Sequence, residues 1–301
     1  MTKADRRNLR NGLLFCSPWL IGFSVFVLYP IAASVYYSFC EYSVLEPSQW
    51  IGLGNYADLL QDDVFWKAVG NTAYYAVLAL PLGMFLALTL ALLLNTGVRG
   101  MAVYRTIFFL PSLVPMIALG VLWLWIFHGT YGILNELLRP ITRLVHLEPP
   151  VWLDSVRWSK PALIIAGLWT VGQPMIIYLA GLQDVPTELY EAAEIDGANW
   201  FHKIWHVTLP MISPVILFNL LMGIIWTLQI FAVPFVMMRD GRPARSAYFF
   251  AMYLYDSAFR YLQMGYASAL AWILFLTILA LTLLALRLTA KHVHYGGTEG
   301  R

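Results

Sequence analysis

The chain has 301 residues, 60% apolar and 12% charged, where soluble domains carry about 45–50% and about 25%. Its 19 Lys and Arg against 17 Asp and Glu leave a net charge of +2, which implies no polyanion-binding surface. Such figures exclude a disordered chain, a disulfide scaffold and an ordinary soluble enzyme, and they ask for a bilayer.

Marking only Asp, Glu, Lys and Arg leaves six long uncharged blocks: Asn11–Cys40, Ala68–Val98, Thr106–Asn135, Pro161–Gln183, Val207–Met238 and Tyr261–Leu286. Crossing hydrocarbon takes roughly 20 apolar residues, so each block holds one helix and none holds a hairpin of two. The expectation is an all-α membrane protein with six transmembrane helices. The first block follows Lys3, Arg6, Arg7 and Arg10, and Ala32-Ala33-Ser34 offers small residues. It far exceeds the roughly 7–15 residues of a signal-peptide core, so an uncleaved first helix is expected. Cys16 and Cys40 sit 24 residues apart on what reads as one helix, about 36 Å, too far to bridge.

Charge sets the expected orientation. With the N-terminus inside, the inside segments hold ten basic residues: Lys3, Arg6, Arg7, Arg10, Arg99, Arg105, Lys203, Arg287, Lys291 and Arg301. The outside segments hold the other nine, so the total is nearly a tie. The four cations before the first helix and the short Arg99–Arg105 loop decide it, placing both termini in the cytoplasm. Outside, Glu41–Lys67 carries Gly52-Leu53-Gly54-Asn55-Tyr56 and an acidic cluster at Asp58, Asp62 and Asp63. A second outside stretch, 129–160, contains Ile133-Leu134-Asn135-Glu136-Leu137-Leu138-Arg139, whose apolar spacing predicts a short interfacial helix.

The apolar cores of the blocks hold no Asp, Glu, Lys or Arg, so the chain offers no relay of charges for ion coupling. No catalytic or metal site is expected. His202 and His206 have zinc-pair spacing, but Lys203 stands where H-E-x-x-H needs its glutamate. None of the lysines follows a glycine, so no P-loop exists. Prolines punctuate the blocks instead: Pro18, Pro30, Pro81, Pro111, Pro115, Pro174, Pro214 and Pro234. Each removes one helical hydrogen bond, and by itself does not separate a simple kink from a bend around a pathway.

Between the fourth and fifth blocks, residues 184–210 form a cytoplasmic loop. Thr187 can cap a helix whose first turn holds Glu188 and Glu191, where the dipole favours anions. Gly197 can end that helix in the left-handed conformation, and Asn199 can cap a second one. Phe201, Ile204, Trp205 and Thr208 then share a stripe, and Pro210 marks the turn into the fifth span.

These residues carry a resemblance. Glu191-Ala192-Ala193, Gly197 and Val207-x-Leu209-Pro210 match the E-A-A-x3-G-x9-I-x-L-P signature of the membrane subunits of binding-protein-dependent ABC importers. Valine for isoleucine at 207 is the one departure. Ser17-Pro18-Trp19-Leu20-Ile21-Gly22-Phe23, Tyr29-Pro30, Asn71-Thr72 and the Gly52–Tyr56 run are similar to the first permease of the maltose-type carbohydrate branch. The resemblance implies a type I importer permease (MetI-like) bundle, with residues 67–290 as its transmembrane domain. Residues 1–66 would precede it and 291–301 would form a cytoplasmic tail. It implies a multi-pass chain in a prokaryotic inner or plasma membrane and a homologous second permease. Two copies of an ATPase that binds ATP and Mg, and an extracytoplasmic solute-binding protein, complete the expected assembly. No cofactor is expected in this chain and no nucleic acid among its partners. Glu191, Ala192, Ala193, Gly197, Phe201, Ile204, Leu209 and Pro210 would couple it to the ATPase. The implied solute is a sugar or oligosaccharide; the alternatives are a polyol, a glycerol phosphodiester, or a self-contained carrier or membrane-embedded enzyme.

A sugar needs hydrogen-bonding side chains and an aromatic face pointing into the bundle. Trp169 and Gln173, at i and i+4, present one such pair on the fourth span. On the fifth, Asn219, Gly223 and Trp226 follow at i, i+4 and i+7, with Thr227 and Gln229 beside them. Gln173 and Gln229 need a partner, because an amide facing hydrocarbon costs about 1–3 kcal/mol.

Overall fold

The structure, a computed structural model, describes residues 2–96, 99–144, 146 and 148–290. The end of the second block at Val98, and Lys291, Arg301 and the whole tail 291–301, lie outside the described residues. Among those described, four helical runs are long and apolar enough to cross a bilayer: Ala4–Ser38, Asp63–Leu94, Ser213–Met237 and Met264–Thr289. Two bent pairs, Met101–Leu113 with Met116–Ile126 and Ser159–Leu168 with Gly172–Gln183, bring the number to six if each pair is one span.

The chain folds as two compact units. One comprises residues up to 62 together with 254–275. It opens with α1 (Lys3–Phe23), a π-turn over Ser24–Leu28 and α2 (Tyr29–Ser38). The first helix therefore stops two residues short of Cys40, which begins β1 (Cys40–Ser43) of an antiparallel hairpin with β2 (Glu46–Trp50). The expected single helix from Cys16 to Cys40 is corrected on this point. Phe39 leaves helical geometry (ψ 5°), and the buried Asn55 donates to both Ser38 O and Cys40 O at 2.9 Å. That side chain holds the carbonyls where helix gives way to strand. Gly52 takes φ +62° to turn the chain into α3 (Gly54–Gln61), and Tyr56 Oη donates to Ser38 Oγ at 2.9 Å. The Gly-Leu-Gly-Asn-Tyr run is thus a knot under the end of the first helix. Across the same unit, Trp272 Nε1 donates to Ser34 Oγ (3.1 Å) and Tyr266 Oη to Asp62 Oδ2 (3.0 Å).

The other unit begins with α4 (Asp63–Leu94) and continues through α5 (Met101–Phe109), α6 (Met116–Ile126) and α7 (Ile133–Leu144). After these come α8 (Ser159–Leu168), α9 (Gly172–Gln183), α10 (Thr187–Ile195), α11 (Trp200–Lys203), α12 (Leu209–Met211) and α13 (Ser213–Leu228). Its core joins Ala87, Ala91 and Leu94 of α4 to Met175, Tyr178, Leu179 and Leu182 of α9, with Ile212 beneath. Ala87 and Ala91, both fully buried and one turn apart, let α9 lie close against α4. A methyl at Gly181 would press on Val215 of α13, and one at Gly223 would collide with Leu80 of α4. Small residues therefore set the helix spacing, as a bundle without a hydrophobic driving force requires.

The expectation of one continuous helix per block is corrected twice. Between α5 and α6 the axis turns by 99°. Val114 precedes Pro115 and is forced extended (ψ 126°), so the helix ends in a 3-10 turn over Leu110–Leu113 and restarts at Met116. Between α8 and α9 the bend is 44°, just ahead of Pro174. Pro18 and Pro81, in contrast, lie inside unbroken helices. The predicted interfacial helix appears as α7, which leaves Ile133, Leu137, Ile141 and Leu144 exposed along one face.

Replacing Asn55 by Ala would leave two carbonyls at the strand junction without their donor, at a cost of about 1–3 kcal/mol. Thermal unfolding of the detergent-solubilised protein should shift down for Asn55→Ala; a midpoint equal to that of the wild type would show that the knot bears no load.

Candidate coupling loop and solute path

The loop between α9 and α13 is a pair of short helices joined by a tight turn. Pro186, extended at ψ 132°, caps α10, which makes Thr187 the first helical residue rather than the expected cap. Only Glu188 then falls in the first turn, and Glu191 sits a turn further in, correcting that expectation too. At the other end Gly197 adopts φ +78°. Ala198 N donates to Ala193 O (2.8 Å) and Gly197 N to Glu194 O (3.0 Å), pairing carbonyls that a helix end leaves orphaned. Asn199 caps α11 as read from the sequence, its Oδ1 accepting from His202 N at 2.9 Å.

Beyond α11 the ladder shifts by one residue. Ile204–Thr208 forms a π-turn closed by Leu209 N donating to Ile204 O, immediately before Pro210, which has no N–H to give. The widened turn carries Thr208 inward, where it is buried and its Oγ1 meets Tyr190 Oη at 3.0 Å. Lys203 Nζ reaches Glu194 at 2.7 Å. Two cross-links therefore join the outgoing helix to the returning one. Lys203 holds the Glu194 carboxyl below the usual carboxylate range, first by the hydrogen bond and then by its charge.

The apolar residues of the loop divide by position. Leu209 packs on the core, and Val207 and Tyr190 do so beside it. Phe201 and Trp205 stay exposed, their rings 6.0 Å apart, so the expected single stripe with Thr208 is split by the π-turn. Ile195 and Trp200, not singled out from the sequence, flank the Gly197 turn at 88% and 68% exposure. Their signal was available: large apolar residues on either side of a loop glycine have no core to enter. Glu191 and Ala192 are exposed on α10, while Ala193, Ile204 and Pro210 are half-buried. His202 and His206 stack at 5.9 Å on an exposed face, with His202 tied to Asn199.

The residues expected along a solute path are only partly brought together. Trp169 stands edge-on to Trp123 at 6.0 Å and lines an apolar cavity of about 660 Å³ with Leu122, Trp125, Ile126, Tyr131 and Ile133. Gln173 is exposed one turn along. On α13, Asn219 is buried and donates to Val215 O (3.1 Å), and Thr227 Oγ1 donates to Gly223 O (2.7 Å). Asn219 and Thr227 thus satisfy part of their polar capacity within their own helix, and Gly223 serves the contact with Leu80. Trp226 is 60% exposed and Gln229 closes the end of α13, also exposed.

The structure is thus a set of apolar helices long enough to cross a bilayer, carrying a braced two-helix loop with bare aromatics at its tip. The family of binding-protein-dependent transport system inner membrane components matches residues 79–293, and the chain belongs to it. The sulfoquinovosyl glycerol transport system permease protein SmoG of Agrobacterium fabrum is 33% identical, covering 92% of this chain and 89% of its own. The lactose transport system permease protein LacF of Rhizobium radiobacter is 35% identical over 90% and 91%. A crystal structure of a bacterial alginate ABC transporter in complex with an alginate pentasaccharide-bound periplasmic protein has the same fold. Its TM-score is 0.81 at 23% identity, over 95% of this chain and 96% of that one.

Because Glu194 is held below its ordinary pKa, its bond to Lys203 contributes fully above the carboxylate range and is lost as pH falls through the lowered value. Spin labels at Glu188 and His202 should give a narrow distance distribution at neutral pH that broadens on acidification below the ordinary glutamate range, and Glu194→Gln should be broad at both. An acid-insensitive distribution in the wild type would remove this clamp.

Proposed function

We propose that this chain is the first of two homologous permease subunits of an ATP-driven, binding-protein-dependent importer of a sugar or oligosaccharide. The saccharide class rests on what SmoG and LacF are named for. Residues 67–290 are the transmembrane domain, preceded by residues 1–66 and followed by a tail at 291–301. The chain lies in a prokaryotic inner or plasma membrane with both termini cytoplasmic. Two ATPase copies dock on the cytoplasmic side and hold the ATP and magnesium, and this chain carries out no catalysis itself. An extracytoplasmic binding protein delivers the solute.

One observation carries this reading. Ile195, Trp200, Phe201 and Trp205 bare large apolar side chains on a loop outside the candidate spans. Exposed apolar patches of this kind mark protein partners. They form the surface that enters a cleft of the ATPase, with Glu191 offering a charge to a basic group at its rim. The loop transmits force because it is braced. Tyr190–Thr208 and Glu194–Lys203 hold α10 against the returning chain, and Leu209 seats that chain on the core that α4 and α9 share. Movement of the ATPase dimer then turns α12 and α13 rather than bending the loop. Glu191, Ala192, Ala193, Gly197, Phe201, Ile204, Leu209 and Pro210 are its coupling residues, joined by Ile195 and Trp200, which are exposed on either side of Gly197. The solute passes Trp169, Gln173, Trp226, Thr227 and Gln229, with Asn219 and Gly223 positioning α13 beside α4.

Gly197 tests the coupling. A Cβ there would meet nothing within 4 Å, so any penalty comes from φ +78° alone. Valine resists that conformation by about 1–2 kcal/mol, while asparagine visits it readily. In vesicles holding the assembled complex, Gly197→Val should lower solute uptake per ATP hydrolysed and Gly197→Asn should retain it; equal ratios in both variants would exclude a coupling turn.

The solute path has its own test. Gln173→Ala and Trp226→Ala should impair uptake several-fold while binding-protein-stimulated ATP hydrolysis persists. Unchanged uptake kinetics in both would take these side chains out of the path.

A further inference from the structure

Nine basic residues fall on the outer side of the membrane in the orientation proposed above, although short loops there are ordinarily poor in Lys and Arg. Six of the nine gather in one place within the larger unit. They come from three segments: Lys67 on the first turns of α4, Arg157 and Lys160 at the start of α8, and Arg239, Arg242 and Arg245 between α13 and the last span. The same segments hold three carboxylates, Asp63, Asp154 and Asp240, so the assembly is net positive. Arg157, Arg239, Arg242, Arg245 and Lys67 are exposed, and Lys160 is half-buried.

The backbone that presents these side chains is fastened from below. Asn71, one turn after Lys67 on α4, donates through Nδ2 to Arg245 O (2.8 Å) and Tyr248 O (2.9 Å). Lys160 Nζ donates to Asn71 Oδ1 (3.2 Å) and Ser246 O (3.3 Å). Ser159 Oγ meets Ser246 Oγ at 2.8 Å, and Phe250 N donates to Thr72 Oγ1 at 2.9 Å. Ser246, Ala247, Tyr248 and Phe249 are all buried as a result. The tip above this anchor is held in an unfavourable shape, with Asp240 at φ +61°, Ala244 at +48° and Arg245 at +55°. Non-glycine residues take that region only where the surroundings enforce it, and such enforcement gathers at functional positions.

We propose that Arg239, Arg242 and Arg245, with Arg157 and Lys67 beside them, form a preorganised basic platform that docks an acidic face of the extracytoplasmic solute-binding protein. The proposal rests on the importer reading and adds the surface and the charge of the partner. Belonging to a binding-protein-dependent family supplies the partner. The fixed backbone supplies the reason to prefer a protein over a lipid. A lipid head group is a mobile anion that any flexible cation can follow, whereas fixed charges on a folded partner reward fixed donors. Arginine predominates at the tip, and its planar fork suits carboxylates in a way a lysine does not. A small anionic solute would need a concave pocket, and these cations stand on exposed tips instead.

The test titrates the binding protein that stimulates the wild-type complex in vesicles, reading ATP hydrolysis. Stimulation of the wild type reports on the importer reading; the difference between wild type and variant reports on the platform. Arg242→Glu with Arg245→Glu should raise the half-saturating concentration about tenfold, with the maximum still reached at higher concentration. The wild-type value should rise with added salt and that of the variant should not. Asn71→Ala, which loosens the strap without changing its charge, should weaken docking by a smaller factor. A half-saturating concentration and salt response equal to those of the wild type in the charge-reversed protein would overturn the proposal. So would a loss confined to solute uptake with docking unchanged, which would assign the cations to an anionic solute, or a shift abolished by changing only the vesicle lipids from anionic to neutral.

Discussion

Hydrocarbon offers a peptide group no partner, so a chain that crosses it must pair its own N–H and C=O groups or hide the ones it leaves unpaired. Three departures from straight helix here answer to that constraint. Before Pro30 and again before Pro210 the ladder slips to a π-turn, Tyr29 N reaching Ser24 O and Leu209 N reaching Ile204 O. The slip comes immediately ahead of a residue with no N–H, and in the second case it turns Thr208 inward to meet Tyr190. At Pro111 and Pro115 the helix breaks and turns by 99°. At Pro18 and Pro81 the helix runs on. The backbone accommodates a lost donor locally, and the form of the accommodation decides which side chains face inward.

That same dependence explains which features could be read before the structure. The uncharged blocks revealed the spans because hydrophobicity is additive along the chain and needs no knowledge of neighbours. Gly197 and Asn199 were legible because a left-handed C-cap and an N-cap are local chemistry, satisfied within five residues. The stripe of Phe201, Ile204, Trp205 and Thr208 was misread because it assumed the 3.6-residue period through a segment whose period widens. Pro186 displaced Thr187 as the cap: with ψ at 132° it is the last extended residue before α10. The hairpin at Cys40–Trp50 was missed altogether, since its strands are short and β2 is exposed along its length, leaving no alternation to detect.

Along the fifth span the limits are of a different kind. Asn219, Gly223 and Thr227 have the spacing of a polar face, and sequence alone cannot tell a face that contacts solute from one that contacts α4. In the structure all three also serve local packing or hydrogen bonding. Leu80 occupies the space above Gly223, and the amide and hydroxyl on either side donate to carbonyls of their own helix. Trp226, one turn past Gly223 on the same face, retains most of its surface. Trp169 and Trp123 instead meet edge to face beside an apolar cavity.

Bracing and strain are distributed in keeping with this division. The loop at 184–210 is joined to the core by Leu209 and stiffened by one buried and one exposed polar link, while its tip around Gly197 is left bare. The segment at 239–249 repeats the scheme with other means: a buried base tied to Asn71, Ser159 and Lys160, and a tip forced into left-handed geometry. In both, the bonds lie on the side toward the bundle and the bare, chemically distinctive side chains on the side away from it, apolar in one case and cationic in the other. A surface loop that needed only to connect two helices would gain nothing from ordering residues at such conformational cost. Ordering becomes advantageous when a partner binds, because groups already fixed lose less freedom on association. The two braced segments therefore make physical sense together as two prepared surfaces.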